Sequence, residues 1–129
     1  MLSSVNVLVV DDDPAVRAYA ADVLRGGGHT VIEAGNGAEA LAANGSLAEP
    51  LGLLVTDIDM PGMDGRTLAG ILAARRPGLK VIYISGRGLG VTDRGGRLED
   101  WESFLGKPFG PSQLHQMVRD LMDEAERSR

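Results

Sequence analysis

Two apolar runs in this chain stop at bare carboxylates. Val5 to Val10 ends in Asp11-Asp12-Asp13, and Leu51-Gly52-Leu53-Leu54-Val55-Thr56 ends at Asp57. Such runs, apolar but for Asn6, Gly52 and Thr56, suit central strands of a parallel sheet, buried on both faces. If these strands are neighbours, several carboxylates meet at the carboxyl edge of the sheet. Two unit charges about 4 Å apart repel by roughly 4 kcal/mol at an effective dielectric of 20. A cluster of that kind calls for a divalent metal and a basic residue. Lys107, in Lys107-Pro108-Phe109 after a further apolar stretch, is the candidate base.

The rest of the chain alternates strand-like and helix-like segments. Asp13-Pro14 is a helix start by chemistry, a carboxylate N-cap followed by proline in the first turn. Val16, Ala20, Val23 and Leu24 then recur at helical spacing until Gly26-Gly27-Gly28. His29 to Ala34 reads as a second strand, and Asn36-Gly37 opens a short helix carrying Ala38, Leu41 and Ala42. After the strand 51–56, Pro61-Gly62 and Asp64-Gly65 punctuate a loop, and Leu68, Ile71 and Leu72 form a helical stripe ending before Pro77. Leu79 to Ile84 is a fourth strand, stopping at Ser85-Gly86; Trp101 to Leu105 is a weaker fifth. Leu114, Met117, Val118, Leu121 and Met122 give an amphipathic helix over Pro111 to Ala125. Strands alternating with helices imply right-handed crossovers and a doubly wound α/β sheet, with ligands bound beyond the carboxyl ends of the strands. Asp11, Asp12, Asp57, Ser85 and Lys107 all fall at such ends.

The 129 residues fit a single domain over 1–129. No cysteine is present, which excludes disulfides, thiol catalysis and cysteine-ligated zinc. No apolar run is long enough to span a bilayer, no signal-peptide pattern opens the chain, and the expected location is cytoplasmic. A net charge of −5 argues against direct contact with nucleic acid. Arg75-Arg76, Arg127 and Arg129 read as solvated helix ends.

Four segments resemble the receiver domain of two-component response regulators, in that family's order and approximate spacing. They are Val7-Leu8-Val9-Val10-Asp11-Asp12-Asp13-Pro14, Asp57-Ile58-Asp59-Met60-Pro61-Gly62-Met63-Asp64-Gly65, Ile84-Ser85-Gly86 and Phe104-Leu105-Gly106-Lys107-Pro108-Phe109. The resemblance implies a flavodoxin-like parallel five-stranded sheet of order 2-1-3-4-5. It implies that Asp57 accepts a phosphoryl group from a histidine of a sensor kinase or histidine phosphotransfer protein. It also implies Mg²⁺ on Asp12, Asp57 and the backbone carbonyl of Asp59, with Asp11 acting mostly through a metal-bound water. Ser85 and Lys107 would contact phosphoryl oxygens, the Lys107–Pro108 bond would be cis, and Ser85 with Phe104 would form the switch. Phe104 has no hydroxyl, so that switch would rest on packing and charge. Such a domain is a phosphoacceptor rather than an independent enzyme.

The chain also departs from that family. Gly86, Gly88, Gly90, Gly95 and Gly96 fall where the fourth helix of the family lies, and each interior glycine costs a helix about 1 kcal/mol against alanine. The expectation is a short, frayed or absent helix between Leu89 and Leu98, which makes dimerisation through that face doubtful and leaves the oligomeric state open. No output domain is expected; the chain reads as a free-standing regulator or a segment of a hybrid sensor kinase, the latter favoured by Phe104 to Phe109 and the missing helix.

Each residue also has an ordinary reading. Asp13 is a helix cap, Asp57 and Asp64 loop caps, Asp11-Asp12 an acidic loop, Ser85 a strand-end hydroxyl, Lys107 a surface lysine. For Asp12, Asp57 and Lys107 these readings would have to coincide at one sheet edge, which favours the joint reading. His29 and His115 are read as surface or structural residues, Met60, Met63, Met117 and Met122 as core or gap-filling, and Gly86 to Gly90 as a poor nucleotide loop. Two rivals remain. Asp57-Ile58-Asp59 is similar to the nucleophile motif of haloacid-dehalogenase-type phosphatases, although there it opens the domain. A receiver-like adaptor that is never phosphorylated is the other, and an intact acidic set argues against it.

Overall fold

The computed structural model describes residues 4–47, 50–86 and 98–127. Its elements are β1 (Asn6–Val10), α1 (Pro14–Gly26), β2 (Thr30–Ala34), α2 (Gly37–Gly45), β3 (Leu53–Asp57), α3 (Gly65–Arg75), β4 (Lys80–Ser85), β5 (Glu102–Gly106) and α4 (Pro111–Arg127). All strand pairs are parallel, and the sheet order is β2-β1-β3-β4-β5. This is the expected architecture. The register places Val10 beside Thr56, so β1 and β3 are neighbours and end level with one another.

Alternate residues of the central strands enter opposite layers. Val7, Val9, Leu53, Val55, Ile82 and Ile84 pack with Ala20, Ala21 and Leu24 of α1 and Leu114, Val118 and Leu121 of α4. Leu8, Val10, Leu54, Val81 and Tyr83 pack with Ala40 of α2 and Leu68, Ala69 and Leu72 of α3. Burial on both faces is why the strands read as continuous apolar runs rather than alternating ones. Fully burying one such side chain is worth about 1.5–3 kcal/mol, whereas a cap is worth about 1 kcal/mol. The two layers therefore hold the fold, and the caps fix where helices begin.

Asp13 caps α1 as expected, Asp64, expected as a loop cap, caps α3, and the Asn36 cap of α2 stands at the expected helix start. Asp13 Oδ1 accepts from Ala15 N at 2.9 Å and Asp64 Oδ1 from Thr67 N at 2.8 Å. At α2 the cap is reciprocal: Asn36 Oδ1 accepts from Glu39 N, and Glu39 Oε1 accepts from Gly35 N at 3.0 Å. After α1 the chain turns through Gly28 at φ +90°, a left-handed conformation suited to glycine.

Two expectations need comment. Arg76 is not a solvated helix end: its Nε and Nη2 donate to Asn44 Oδ1 and the Asn44 carbonyl, tying the end of α3 to α2. The donors of a guanidinium reach carbonyls that a helix C-terminus leaves open. The expected weak helix between Leu89 and Leu98 lies, except for Leu98, outside the described residues.

The histidines are structural. His29 is buried, and its Nδ1 accepts from Val5 N at 3.2 Å. His115 of α4 packs on the turn before it, 3.1 Å from where a Cβ on Gly27 would stand. Burial, and then the neighbouring His115, hold the His29 imidazole below its ordinary value of 6.5. A base lowered on folding stabilises the fold fully above its unfolded value, and that stability is lost as pH falls below about 6.5. The expected result is that the melting-temperature advantage of the parent over His29→Gln shrinks between pH 7.5 and 5.5. Thermal melts of both proteins across that range check it.

Candidate functional site

The site forms where β1, β3 and β5 end. Beyond Val10 the chain leaves the sheet, and Asp11 turns inward. Its backbone N–H donates to the Ala34 carbonyl at 3.2 Å, and its own carbonyl accepts from Arg17 Nη1 at 2.8 Å. Its Oδ1 accepts from Asp13 N at 2.9 Å. These contacts fix a fully buried carboxylate at the mouth of the pocket. Asp12, the next residue, is exposed.

Asp57 closes β3 opposite Ile84, and Ile58 N continues the pairing to the Ile84 carbonyl at 3.1 Å. The buried Asp57 is hemmed in from behind by α3. A Cβ on Gly65 would stand 2.1 Å from the Asp57 carbonyl oxygen, so only glycine lets α3 begin there. Gly65 N donates to the Ile58 carbonyl at 2.9 Å, closing the loop 58–65 behind Asp57. On the other side, Ser85 is buried at the end of β4 opposite Gly106, and Lys107 N donates to the Ser85 carbonyl at 2.9 Å. The Lys107–Pro108 bond is cis, as expected.

The Lys107 ammonium lies 3.1 Å from Asp11 Oδ2 and 3.5 Å from Asp57 Oδ1. Carboxylate oxygens of Asp11, Asp12 and Asp57 lie within 4.8 Å of one another. Burial, then the Asp11 charge, pushes the Asp57 carboxyl up to about 6, against a smaller opposing pull from Lys107. Burial lowers the Lys107 ammonium, but Asp11 and Asp57 outweigh it and leave it raised. At neutral pH the pocket therefore holds an ionised Asp57 beside a charged lysine.

Three carboxylates against one ammonium leave two negative charges unbalanced, which suits one divalent cation. Asp11 Oδ2 is buried and has no hydrogen-bond donor in line, only the lysine charge beside it. The donors are hard oxygens with no nitrogen or sulfur among them, the preference of Mg²⁺. The residues present thus fit that ion.

The structure brings together Asp11, Asp12, Asp57 and Lys107, with Ser85 joined through the Lys107 amide. The Asp59 side chain is exposed on the loop and is not among the clustered carboxylates. Phe104 lies on β5 opposite Tyr83, half-buried against the α2–α3 layer. Sequence reasoning missed Arg17, whose place one turn after the Asp13 cap was the available signal. It also missed Arg66, Tyr83 and Glu102; a lone glutamate inside the predicted fifth strand was the clue.

A doubly wound flavodoxin-like sheet with an acidic, lysine-closed pocket at its carboxyl edge defines a class of small α/β domains. Within that class this chain belongs to the response regulator receiver domain family, whose model matches residues 7–119. It is 35% identical over 123 residues to the sensor kinase CckA of Brucella abortus, covering 95% of this chain and 13% of that protein. It is 34% identical to the transcriptional regulatory protein AruR of Pseudomonas aeruginosa, covering 90% of this chain and 48% of AruR. The chain thus spans less than half the length of these curated relatives. Among solved structures, the receiver domain of the hybrid histidine kinase CckA superposes with TM-score 0.77 at 34% identity, covering 91% of this chain and 98% of that one. A response regulator receiver protein from Sinorhizobium medicae gives TM-score 0.83 at 27% identity, covering 95% and 98%. The chain is a receiver domain of two-component systems, a signalling domain rather than an enzyme of the usual kind. Among the described residues no helix is long and apolar enough to cross a membrane.

Proposed function

We propose that this chain is a phosphoacceptor: it takes a phosphoryl group onto Asp57 from a phosphohistidine of a sensor kinase or histidine phosphotransfer protein. The observation that carries the reading is the convergence of Asp11, Asp12 and Asp57 within 4.8 Å, closed by the Lys107 ammonium. An Asp57 carboxylate oxygen attacks the phosphorus in line; a P–O bond forms as the P–N bond to the donor imidazole breaks. Transfer of this kind needs positioning and charge neutralisation more than covalent work by the protein. Mg²⁺ on Asp12, Asp57 and the Asp59 carbonyl, with Asp11 through water, would neutralise phosphoryl oxygens. Lys107 supplies a compact positive charge to one of those oxygens, and the Ser85 hydroxyl donates to another.

Asp57 becomes a more highly charged acyl phosphate, so the groups around it must rearrange. Ser85 is drawn toward the phosphoryl group, and Phe104 shifts into the space it leaves, a population change biased by charge and packing. We place the domain in the cytoplasm, where its kinase partner would have ATP.

The test is incubation with Mg²⁺ and either acetyl phosphate or a phosphorylated histidine phosphotransfer protein, read by intact mass. The expected result is a gain of one phosphoryl group. A folded protein that gains none with either donor would instead be a phosphorylation-independent adaptor. Steady hydrolysis of phosphate monoesters without a kinase would point to a phosphatase.

A further inference from the structure

A second polar cluster lies in the α2–α3 layer, away from the acidic pocket. Glu102 of β5 has a side chain with no exposure, although β5 is an edge strand. The Tyr83 hydroxyl donates to its Oε2, and Glu99 N donates to its Oε1 at 2.9 Å. Arg66 of α3 brings Nε to 3.5 Å from Glu102 Oε2, and its guanidinium stands 5.1 Å over the Tyr83 ring. Arg66 is itself 11% exposed, and its Nε and Nη1 are buried without a hydrogen-bond partner. The pair is therefore close, yet short of the two-bond alignment that guanidinium and carboxylate favour. A buried network left partly satisfied is penalised, and a small shift that completes it is rewarded.

The position of Arg66 makes such a shift relevant to the pocket. It directly follows Gly65, whose Cα is so close to the Asp57 carbonyl that no Cβ fits between them. The first turn of α3 is therefore packed directly against the Asp57 backbone. At the other end, Glu102 precedes Phe104 by two residues on the same side of β5, and Tyr83 pairs with Phe104 across the strands. The ladder continues to Lys107, whose N–H is bonded to Ser85. Arg66 thus opens the helix packed on the Asp57 backbone, and Glu102 opens the strand whose far end leads to Lys107, both outside the pocket.

We propose that Arg66, Tyr83 and Glu102 form a coupling element that carries the phosphorylation state of Asp57 to β5. In the unphosphorylated form the guanidinium rests over Tyr83 with a misaligned carboxylate contact. Phosphorylation moves the start of α3, Arg66 aligns with Glu102, and β5 with Phe104 repacks. Packed polar networks suit this task because they have discrete arrangements rather than a continuum. The element also supplies what Phe104 lacks: a buried hydroxyl, that of Tyr83, next to the switching aromatic. The inference rests on the phosphoacceptor reading given above. All three are positioning residues; none touches the phosphoryl group.

The test compares the parent with Tyr83→Phe, Arg66→Met and Glu102→Gln. Phosphorylation by acetyl phosphate with Mg²⁺ is followed by intact mass, and backbone amide shifts of Phe104, Leu105 and Gly106 are followed on adding beryllofluoride as a phosphoryl mimic. The expected result is phosphorylation rates within about threefold of the parent, with β5 shift changes reduced by about half or more. Tyr83→Phe keeps the ring and removes only the hydroxyl, so it serves even if a charge variant fails to fold. Parent-like β5 shifts in well-folded Tyr83→Phe and Arg66→Met overturn the coupling element and leave the phosphoacceptor reading intact. A parent that gains no phosphoryl group overturns both.

Discussion

Asp57→Asn should gain no phosphoryl group from any donor and, in Mg²⁺-free buffer at pH 8, should melt several degrees above the parent. The first half follows from the nucleophile: an amide oxygen carries no negative charge to attack phosphorus. The second half follows from the pocket. Burial and Asp11 push the folded Asp57 carboxyl up to about 6 from its reference value of 3.8. A carboxyl raised on folding favours the fold below the unfolded value, and that contribution is lost as pH rises through the folded value. At pH 8 the parent therefore holds Asp57 ionised at a cost, whereas asparagine does not titrate. The full shift corresponds to about 3 kcal/mol at 1.36 kcal/mol per unit. Solvent reaching the pocket mouth screens part of it, leaving about 1–2 kcal/mol. For a domain of this size that is a rise of roughly 3–10 °C. The gap between variant and parent should widen from pH 5 to pH 8. It should narrow on adding Mg²⁺, which on the proposed reading would bind the parent's full carboxylate set and stabilise only what it binds. Melting curves at four pH values, with and without Mg²⁺, check both trends. An asparagine variant that melts below the parent at pH 8 without metal would show that Asp57 is not held under electrostatic stress.

The parts of this molecule legible in its sequence are those governed by local chemistry. Val7 to Val10 and Leu53 to Thr56 are buried on both faces, and that leaves a nearly continuous apolar signature, rich in β-branched residues and short enough for a strand. Asp13-Pro14, Asn36-Gly37 and Asp64-Gly65 each cap a helix through a bond to a residue two or three positions on, so sequence spacing suffices. The acidic pocket was readable because parallel strands of similar length end level, which brings Asp11 beside Asp57. What could not be read depended on reach across the fold. Arg76 looks like the end of a charged helix until α2 presents Asn44 to it, 32 residues away. Glu102 looks like a solvated strand residue until Tyr83 and Arg66, from two other elements, enclose it. Long flexible side chains choose partners by three-dimensional proximity, and spacing along the chain carries no trace of that choice.

The opposite substitution to Asp57→Asn removes the positive charge instead. Lys107→Ala should destabilise the protein by about 2–4 kcal/mol in Mg²⁺-free buffer at pH 8. Stranding one charge of a buried pair costs about 3–5 kcal/mol; the lysine side chain is 23% exposed, so water recovers part of that. The stranded group is Asp11, whose carboxylate is fully buried and whose Oδ2 has the lysine charge as its near neighbour. Acidification should narrow the loss, because protonating Asp57 through pH 6 removes one of the charges left facing Asp11. Mg²⁺ should recover more stability in the variant than in the parent, since an ion at 100 times its dissociation constant contributes about 2.7 kcal/mol and the excess charge it meets is larger. A packing loss would behave differently. The lysine stem lies beside Ala15, Val16, Tyr19 and Phe109 in an apolar pocket, and losing those contacts is insensitive to pH and metal. The double variant Asp57→Asn/Lys107→Ala separates the two causes. If charge dominates, Asp57→Asn raises stability at pH 8 by more in the Lys107→Ala background than in the parent, because the lysine no longer offsets the Asp57 charge. An equal gain in the two backgrounds, with a Lys107→Ala loss unchanged by Mg²⁺, would assign the loss to the stem and not to the ammonium.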